Sequence, residues 1–244
     1  MQEPSVSLCN VTKRYGSKKN IVTACDSINL EVSCGHVIGL LGPNGAGKST
    51  VLNMVCGRLL PDSGTVTVCG TTDTGAIRSV TGFVSETPEL DPHLTVKETL
   101  FFECSLYGMP QNKALEHIKH AVKDLELESV LEKKVSVLSK GFAQRTSLAR
   151  AICTDPQVLV LDEFSGGLDP AQIVGIRSVI KKLSKTKAVI FSTHHIDEAL
   201  SLCDRMYIMN HGSIVQSGSA EEIVKATHTQ NLEQAFLRLT GGAQ

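Results

Sequence analysis

Residues 42–50, GPNGAGKST, constrain the fold of this chain more than any other segment. They fit the pattern G-x-x-x-x-G-K-[ST] and lie between an apolar run, Val37–Leu41, and a helical pattern that begins at Ser49. Glycines let the backbone of such a loop turn its N–H groups inward, where they bind phosphate oxygens with help from the following helix N-terminus. The segment therefore predicts an α/β fold in which a strand, a phosphate-binding loop and a helix follow one another.

The same loop contains the side chains that a nucleotide requires. Lys48 is placed to reach the β- and γ-phosphates of ATP, and the hydroxyl of Ser49 is placed to bind Mg²⁺. A strand–turn–helix without a ligand is the alternative, but typical residue frequencies produce this pattern by chance in about one such chain in a hundred. The candidate phosphate-binding residues are Gly42, Pro43, Asn44, Gly45, Ala46, Gly47, Lys48, Ser49 and Thr50.

A second apolar run, in LVLDEFSGGLDP at residues 159–170, ends in two adjacent acids. Ligands bind at the carboxyl edge of an open parallel sheet, so Asp162 is expected to face Mg²⁺ there. Glu163 is expected to point towards the γ-phosphate and to polarise the attacking water as a general base. Mg²⁺ and Lys48 balance the charge of the carboxylates, and together they predict a site that hydrolyses ATP.

The remaining pattern alternates strands with helices. Several strand-like runs are apolar throughout, which is typical of strands covered on both faces. From about residue 95 to 151 the pattern is mostly helical, which predicts a helical lobe inserted into an α/β core, and residues 231–244 predict an amphipathic helix with a loose end. The predicted strands are Val37–Leu41, 64–70, 158–161, 188–192 and Arg205–Asn210.

Length, charge and composition exclude several classes of function. A length of 244 residues suits one large domain or a domain with a lobe, and a net charge of −1 argues against nucleic acid as a partner. No apolar run approaches the roughly 18 residues that span a bilayer, and the N-terminus does not resemble a signal peptide. Eight scattered cysteines without a C-x-x-C pair are interpreted as reduced, mostly buried thiols.

Together these motifs resemble the ATP-binding subunit of an ABC transporter, over nearly the whole chain. GPNGAGKST is similar to the Walker A loop, LVLDE to Walker B, LSKGFAQR to the signature motif, GGLDP to the D-loop and FSTHHIDEA to the switch region. The resemblance implies that Tyr15 stacks on adenine, that Asp169 belongs to the D-loop and that His194 contacts the γ-phosphate. It also implies that Ser139, Lys140 and Gly141 bind the γ-phosphate of ATP held by a second subunit.

The resemblance implies a P-loop NTPase (RecA-like) core with an inserted helical lobe and an N-terminal β portion. The expected divisions are a first part of the core, the lobe, the rest of the core and a C-terminal helical tail, at 1–87, 88–152, 153–218 and 219–244. Two ATP-binding subunits, identical or different, are expected to close over two ATPs. They would drive a separate transmembrane permease from the cytoplasmic face of the membrane, and the signature and tail favour small exporter-type permeases.

Three residues depart from the family pattern. Glu86 stands where the family usually has Gln; it can still bind Mg²⁺ but adds negative charge near the phosphates. Lys140 replaces the commonest Gly of the signature, as in some exporter-type members. Phe164 replaces the usual Pro after the catalytic Glu, and the sequence provides no physical reason for this.

Two alternatives stay open within the family. A soluble ABC ATPase of iron–sulfur cluster assembly would have a similar length and the same motifs, but soluble partners. A member acting on ribosomes or DNA is less favoured, because such proteins usually carry two cassettes, long coiled coils or zinc modules. The signature and STHH disfavour an unrelated P-loop kinase or GTPase.

Overall fold

The computed structural model describes residues 3–17, 20–166 and 168–241, which form two sheets and the helices around them. Within these residues the strands are β1 (Val6–Ser17), β2 (Asn20–Val32), β3 (Val37–Leu41), β4 (Ser63–Val68), β5 (Thr81–Val84), β6 (Val158–Asp162), β7 (Ala188–Thr193), β8 (Arg205–Asn210) and β9 (Ser213–Gly218). The α-helices are α1 (Lys48–Val55), α2 (Thr74–Val80), α3 (Val96–Leu106), α4 (Gln111–Asp124), α5 (Lys140–Ile152), α6 (Pro170–Ser184), α7 (Ile196–Leu202), α8 (Ala220–Thr227) and α9 (Leu232–Thr240).

The larger sheet has the strand order β5-β6-β7-β3-β8-β9. Its pairs are parallel from β5 to β8, and β9 pairs antiparallel with β8. Every residue of β3, β6 and β7 is buried, because the strands at the centre are covered on both faces. The carboxyl ends of β3, β6 and β7 consequently meet at one edge, where the glycine loop, the two acids and the histidine pair emerge.

The second sheet is antiparallel and has the order β2-β1-β4. Its inner face shares a hydrophobic core with α1 and with one side of the larger sheet, including Val6, Leu30, Leu52 and Ile190. The N-terminal β portion is therefore packed against the helix that follows the glycine loop. The prediction of an α/β fold with this arrangement is confirmed.

The stretch between β5 and β6 is fully described and contains α3, α4 and α5, with 3-10 turns at Glu128–Val130 and Val135–Val137 and no strand. Helix α3 begins with a capping box, in which Thr95 and Glu98 satisfy each other's backbone N–H groups. The apolar stripe of α4 packs against α3 and α5, and this lobe core is continuous with the core on one side of β5, β6 and β7. The exact division at 88 and 152 stays a prediction.

Sequence patterns placed some elements closely and missed others. Strands β3 and β8 have the predicted bounds, and α6 begins at the predicted Pro170. Strands β1, β2 and β9 were not predicted individually, because their solvent-facing residues break the apolar runs. Strand β5 was not predicted either, because it has only four residues and begins with Thr81 and Gly82. Asn231 caps α9 as part of the predicted tail helix, whereas the predicted loose end, at 242–244, lies outside the described residues. Over the ranges that the structure covers, no helix combines the length and the apolar character needed to cross a bilayer.

Candidate active site

The glycine loop connects β3 to α1 by a path that two of its glycines make possible. Gly45 and Gly47 have φ values of 80° and 102°, which L side chains rarely adopt. A Cβ on Gly47 would overlap the carbonyl oxygen of Ala24, and a Cβ on Gly42 would overlap that of Met209. The loop is thus pressed between β2 and β8, and one turn within it is closed by the N–H of Ala46, which donates to the carbonyl oxygen of Pro43 at 3.1 Å.

A cleft of about 330 Å³ opens at this loop. Of the sequence-predicted residues, it brings together part of the loop, the acid after β6 and the residue at the start of the lobe. Ala24, on β2, lines it as well and carried no sequence signal. The lining residues are Ala24, Asn44, Gly45, Gly47, Lys48, Ser49, Thr50, Glu86 and Glu163.

Lys48 is 5% exposed, and its ammonium group contacts both the loop and Glu163. Its Nζ donates to the carbonyl oxygens of Gly42 at 2.8 Å and Pro43 at 3.2 Å. The same nitrogen lies 3.5 Å from Oε1 of Glu163. The ammonium group therefore lies between the loop and the carboxylate, close enough to balance the charge of Glu163.

Glu163 is held on both sides immediately after β6. Its other oxygen, Oε2, lies 3.1 Å from Nδ1 of His194, and its backbone N–H donates to Oγ of Ser192 at 3.0 Å. Its φ of 43° places a non-glycine residue in the left-handed region, which costs on the order of 1–2 kcal/mol. Such strain is typical of functional sites, where the surrounding structure holds the residue in one geometry.

Ser192 is a residue of this site that sequence reasoning missed. In the parallel register Asp162 is paired with Ser192, whose hydroxyl donates to Oδ1 of Asp162 while it accepts from the N–H of Glu163. One hydroxyl on β7 thus orients both acids at the end of β6. The only available signal was its position two residues before the histidine pair.

The donor atoms at this edge fit Mg²⁺. The hydroxyl of Ser49 and the carboxylates of Asp162 and Glu86 are hard oxygen ligands, and Mg²⁺ is commonly held by one or two carboxylates together with substrate phosphates and water. Ser49 and Glu86 line the cleft, and Asp162 precedes the lining residue Glu163. The part of the chain that the structure describes contains no cluster of three His, Cys, Asp or Glu residues that could form a complete protein cage.

Comparison with known proteins identifies the same family as the motifs do. The sequence model of the ABC transporter family matches residues 25–166, which is more than half of the chain. The chain belongs to the ABC transporter family. The earlier identification from motifs is thereby confirmed.

Curated ABC relatives cover most of the chain. A Nod factor export ATP-binding protein I from Rhizobium sp. is 36% identical over 230 residues, which are 92% of this chain and 74% of the relative. The protein of the same name from Burkholderia orbicola is 35% identical and covers 93% and 74%. The ABC transporter G family member 20 of Dictyostelium discoideum is 34% identical over 96% of this chain but only 32% of its own length.

Solved structures of ABC ATP-binding subunits have the same fold as this chain. An ATP-binding subunit of an ABC transporter superposes with a TM-score of 0.87 at 23% identity, covering 96% of this chain and 98% of that one. A dimeric bacterial ABC transporter cassette has a TM-score of 0.80 at 30% identity and covers 87% and 97%. The same cassette in a post-hydrolysis state with ADP and Pi has a TM-score of 0.79 at 29% identity, over 87% of this chain and 97% of the cassette. The chain is an ATP-binding subunit and an ATPase of the ABC family.

The other ABC motifs lie outside the lining of this cleft. Tyr15, on β1, is 45% exposed, with Nζ of Lys13 6.0 Å from its ring centroid. Ser139 caps α5 by accepting from the N–H of Phe142 at 3.4 Å. Asp169 caps α6 by accepting from the N–H of Gln172 at 2.9 Å.

The signature and the D-loop meet each other instead. Gly141 packs so closely on Gln172 that a Cβ there would overlap the amide of that side chain. Gln172 in turn accepts from the backbone N–H of Asp169 at 3.4 Å. The N-termini of α5 and α6 therefore form one surface, which also includes the exposed Lys140. Gly167, in the D-loop motif, lies outside the described residues.

The structure explains Phe164, which the sequence did not. Phe164 is buried, and its ring packs edge-on against Phe191 of β7, with centroids 5.7 Å apart and an interplanar angle of 79°. Such aromatic pairs contribute roughly 0.5–1.5 kcal/mol beyond the area that they bury. Phe164 thus anchors the turn that follows Glu163 to the neighbouring strand.

Proposed function

We propose that this chain binds Mg²⁺–ATP in the cleft at residues 42–50 and hydrolyses it to power a separate transmembrane permease, with export the favoured direction. The observation that carries the proposal is the carboxylate of Glu163, held between the ammonium of Lys48 and the imidazole of His194 at the rim of the cleft. A charged side chain in this position can act on a water molecule that attacks the γ-phosphate.

Nucleotide binding is assigned to the loop and its surroundings. The backbone N–H groups of the loop and the N-terminus of α1 bind the phosphates. Lys48 releases the carbonyl oxygens of the loop and donates to the β- and γ-phosphates. The exposed ring of Tyr15 is available to stack on adenine.

Ser49, Asp162 and Glu86 are the residues that would hold Mg²⁺. Bound there, the ion neutralises charge on the β- and γ-phosphate oxygens. The hydrogen bond from Ser192 fixes the direction of the Asp162 carboxylate, so this ligand is oriented before any ion arrives. The proposal keeps Glu86 as a ligand in spite of its extra charge, because it lines the cleft.

The chemical step is hydrolysis of the terminal phosphoanhydride. Glu163 accepts a proton from water as the water oxygen bonds to the γ-phosphorus, and the bond from the γ-phosphorus to the bridging oxygen breaks to release ADP. The proton then passes to phosphate. His194 donates a hydrogen bond to the γ-phosphate and, beside Glu163, keeps the attacking water in line.

A second ATP-binding subunit completes each site in this proposal. Ser139, Lys140, Gly141 and Asp169 lie at the start of α5 and α6 and do not line the cleft of their own chain. A helix N-terminus capped in this way is suited to an anion held by a partner. The dimeric cassette among the similar structures supports two chains closing over two ATPs.

Coupling to a permease is assigned to Glu86 and the helical lobe that follows it. The names of the similar export ATP-binding proteins support transport, and export in particular. They favour transport over the alternative of iron–sulfur cluster assembly. The proposal places the chain on the cytoplasmic face of the membrane, beside the permease. Affinity purification from detergent-solubilised membranes tests this directly, since a stoichiometric multi-helix protein supports transport and exclusively soluble partners contradict it.

The catalytic assignment is tested by Glu163→Gln. This variant keeps the size of the side chain but loses its basicity, so we expect ATP binding to be retained, turnover to fall about 100-fold or more, and a closed dimer to accumulate with ATP. Glu132→Gln is the matched control, because Glu132 is exposed in the lobe and pairs with Lys97. Substantial hydrolysis by Glu163→Gln would remove Glu163 from the mechanism while leaving nucleotide binding intact.

A further inference from the structure

The turn that carries His194 is held by a buried hydroxyl. Thr193 ends β7, is 1% exposed and is paired with Leu41 of β3, so it belongs to the rigid centre of the sheet. Its Oγ1 accepts from the backbone N–H of His195 at 2.9 Å. That N–H belongs to the peptide group between His194 and His195. The peptide group that follows His194 is therefore held by this hydroxyl, and the residue that precedes His194 is held in the strand.

Glu198 completes the arrangement from α7. Its carboxyl group is buried at 2% exposure, and Oε2 accepts from Oγ1 of Thr193 at 2.6 Å. Its other oxygen, Oε1, is buried without a hydrogen-bond partner among the described residues. A half-satisfied buried carboxyl lowers stability, so stability alone does not account for this residue.

The chemistry of a hydroxyl explains what Glu198 adds. Thr193 has one O–H proton and two lone pairs, and its proton rotates to suit the strongest acceptor nearby. A carboxylate in that place fixes the proton towards α7, which leaves a lone pair facing the N–H of His195. Without the carboxylate, the hydroxyl would be free to turn and the bond to His195 would weaken.

We propose that Glu198 is a positioning residue for ATP hydrolysis, which acts through Thr193 to hold the backbone of His194 and so keeps the imidazole 3.1 Å from Glu163. This inference rests on the role proposed above for His194. Glu198 is a buried acid that would touch neither the nucleotide nor the reacting atoms. Through Thr193 it connects α7 to the turn that carries His194.

The first test compares Glu198→Leu with Glu198→Gln. Leucine cannot accept the hydrogen bond, whereas glutamine retains a carbonyl oxygen for Thr193. We expect Glu198→Leu to lower kcat about tenfold, because small misplacements of a catalytic group have effects of this order or larger. The Kd for ATP should stay within about twofold of the original protein, since binding relies on the loop, and Glu198→Gln should restore most of kcat.

The decisive readout is the effect of Glu198→Leu in a His194→Ala background. A residue that acts only through His194 has no further effect there, whereas a residue with a general structural role lowers kcat in both backgrounds. Equal losses in the two backgrounds would overturn the inference. If His194→Ala alone keeps full turnover, the proposed role of His194 fails instead, so the two failures are distinguishable.

Thr193 provides an independent pair of variants in case Glu198→Leu does not fold. Thr193→Val removes the hydroxyl with little change in volume, and Thr193→Ser retains it. We expect the valine variant to lose kcat as Glu198→Leu does, with the Kd for ATP unchanged, and the serine variant to keep most of it. Equal turnover in the valine and serine variants would contradict the proposal.

Discussion

Nδ1 of His194 lies 3.1 Å from Oε2 of Glu163, and each residue follows the end of a different strand. These strands, β6 and β7, are parallel neighbours whose register is continuous from Val158 to Asp162. The distance is thus set by the central sheet rather than by a loop. A change at His194 should therefore affect the position and the chemistry of Glu163.

His194→Ala should lower kcat about 100-fold or more while the Kd for ATP changes little, because the lost hydrogen bond serves the transition state more than the ground state. His195→Ala is the matched control. Its ring lies against His194, with centroids 4.0 Å apart, but makes no contact with Glu163 that the structure records. Steady-state ATPase kinetics distinguish them, and a larger loss from His195→Ala would reverse the assignment.

Gly47→Ala should destabilise the fold more than Gly45→Ala. Both positions have positive φ, which costs about 1–2 kcal/mol for alanine. A Cβ on Gly45 meets open space, whereas one on Gly47 overlaps the carbonyl of Ala24 and forces the loop away from β2. Denaturant unfolding without nucleotide measures the difference in free energy, and equal losses would show that the loop relaxes freely.

Phe164→Ala should lower the free energy of unfolding by about 3–5 kcal/mol, as is usual when a buried phenylalanine is truncated. Phe164→Leu fills most of the space and should cost about 1.5 kcal/mol or less. Phe102 is 55% exposed on α3, so Phe102→Ala should change stability by about 0.5 kcal/mol or less. A small effect of Phe164→Ala would mean that its packing on Phe191 does not stabilise the turn.

Gly141→Ala should lower turnover and leave ATP binding to the isolated chain unchanged. The added methyl group overlaps the amide of Gln172, which must turn away and give up its hydrogen bond with the backbone of Asp169, but Gly141 does not line the cleft. Gly175→Ala, on α6, is the matched control, because a Cβ there has ordinary contacts. ATPase assays beside equilibrium nucleotide binding check this, and loss of binding by the isolated chain would show that the two helices shape the cleft itself.

When a maleimide is added at pH 8, the exposed cysteines should react before the buried ones. Burial raises the pKa of Cys25 to about 12, and burial also raises the pKa values of Cys56 and Cys203. Since the thiolate is the reactive form, a raised pKa leaves little of it at pH 8. Cys9 and Cys34 are exposed and should label first, and denaturant should release all eight. Mass spectrometry of timed samples would contradict this if Cys25 labelled early.

Much of the fold could be predicted from local pattern. Strands β3, β6 and β7 are buried on both faces, so their sequences are continuously apolar and their bounds are close to those predicted. The long strands β1 and β2 have one solvent face and bulges in their pairing, which break the pattern. Register shifts of this kind depend on partners far along the chain.

The residues of the candidate site also fall into those that a local pattern predicts and those that it does not. The residue types of the glycine loop, the two acids and the histidine predict their chemistry, because each motif is contiguous. Ser192, Thr193 and Glu198 lie within the segment FSTHHIDEA, but the sequence assigned a role only to its first histidine. Their importance follows from hydrogen bonds to Asp162 and to the turn at His194.

The sequence by itself determined the order of motifs, the α/β class and the family, because each depends on residues adjacent in the chain. Only the tertiary structure decided that Glu163 lies 3.5 Å from Lys48 on one side and 3.1 Å from His194 on the other. It also decided that Gly141 of the signature packs against Gln172, beside the D-loop. The physical reason is that side chains far apart in sequence meet only through strand register and helix packing, which no local pattern records.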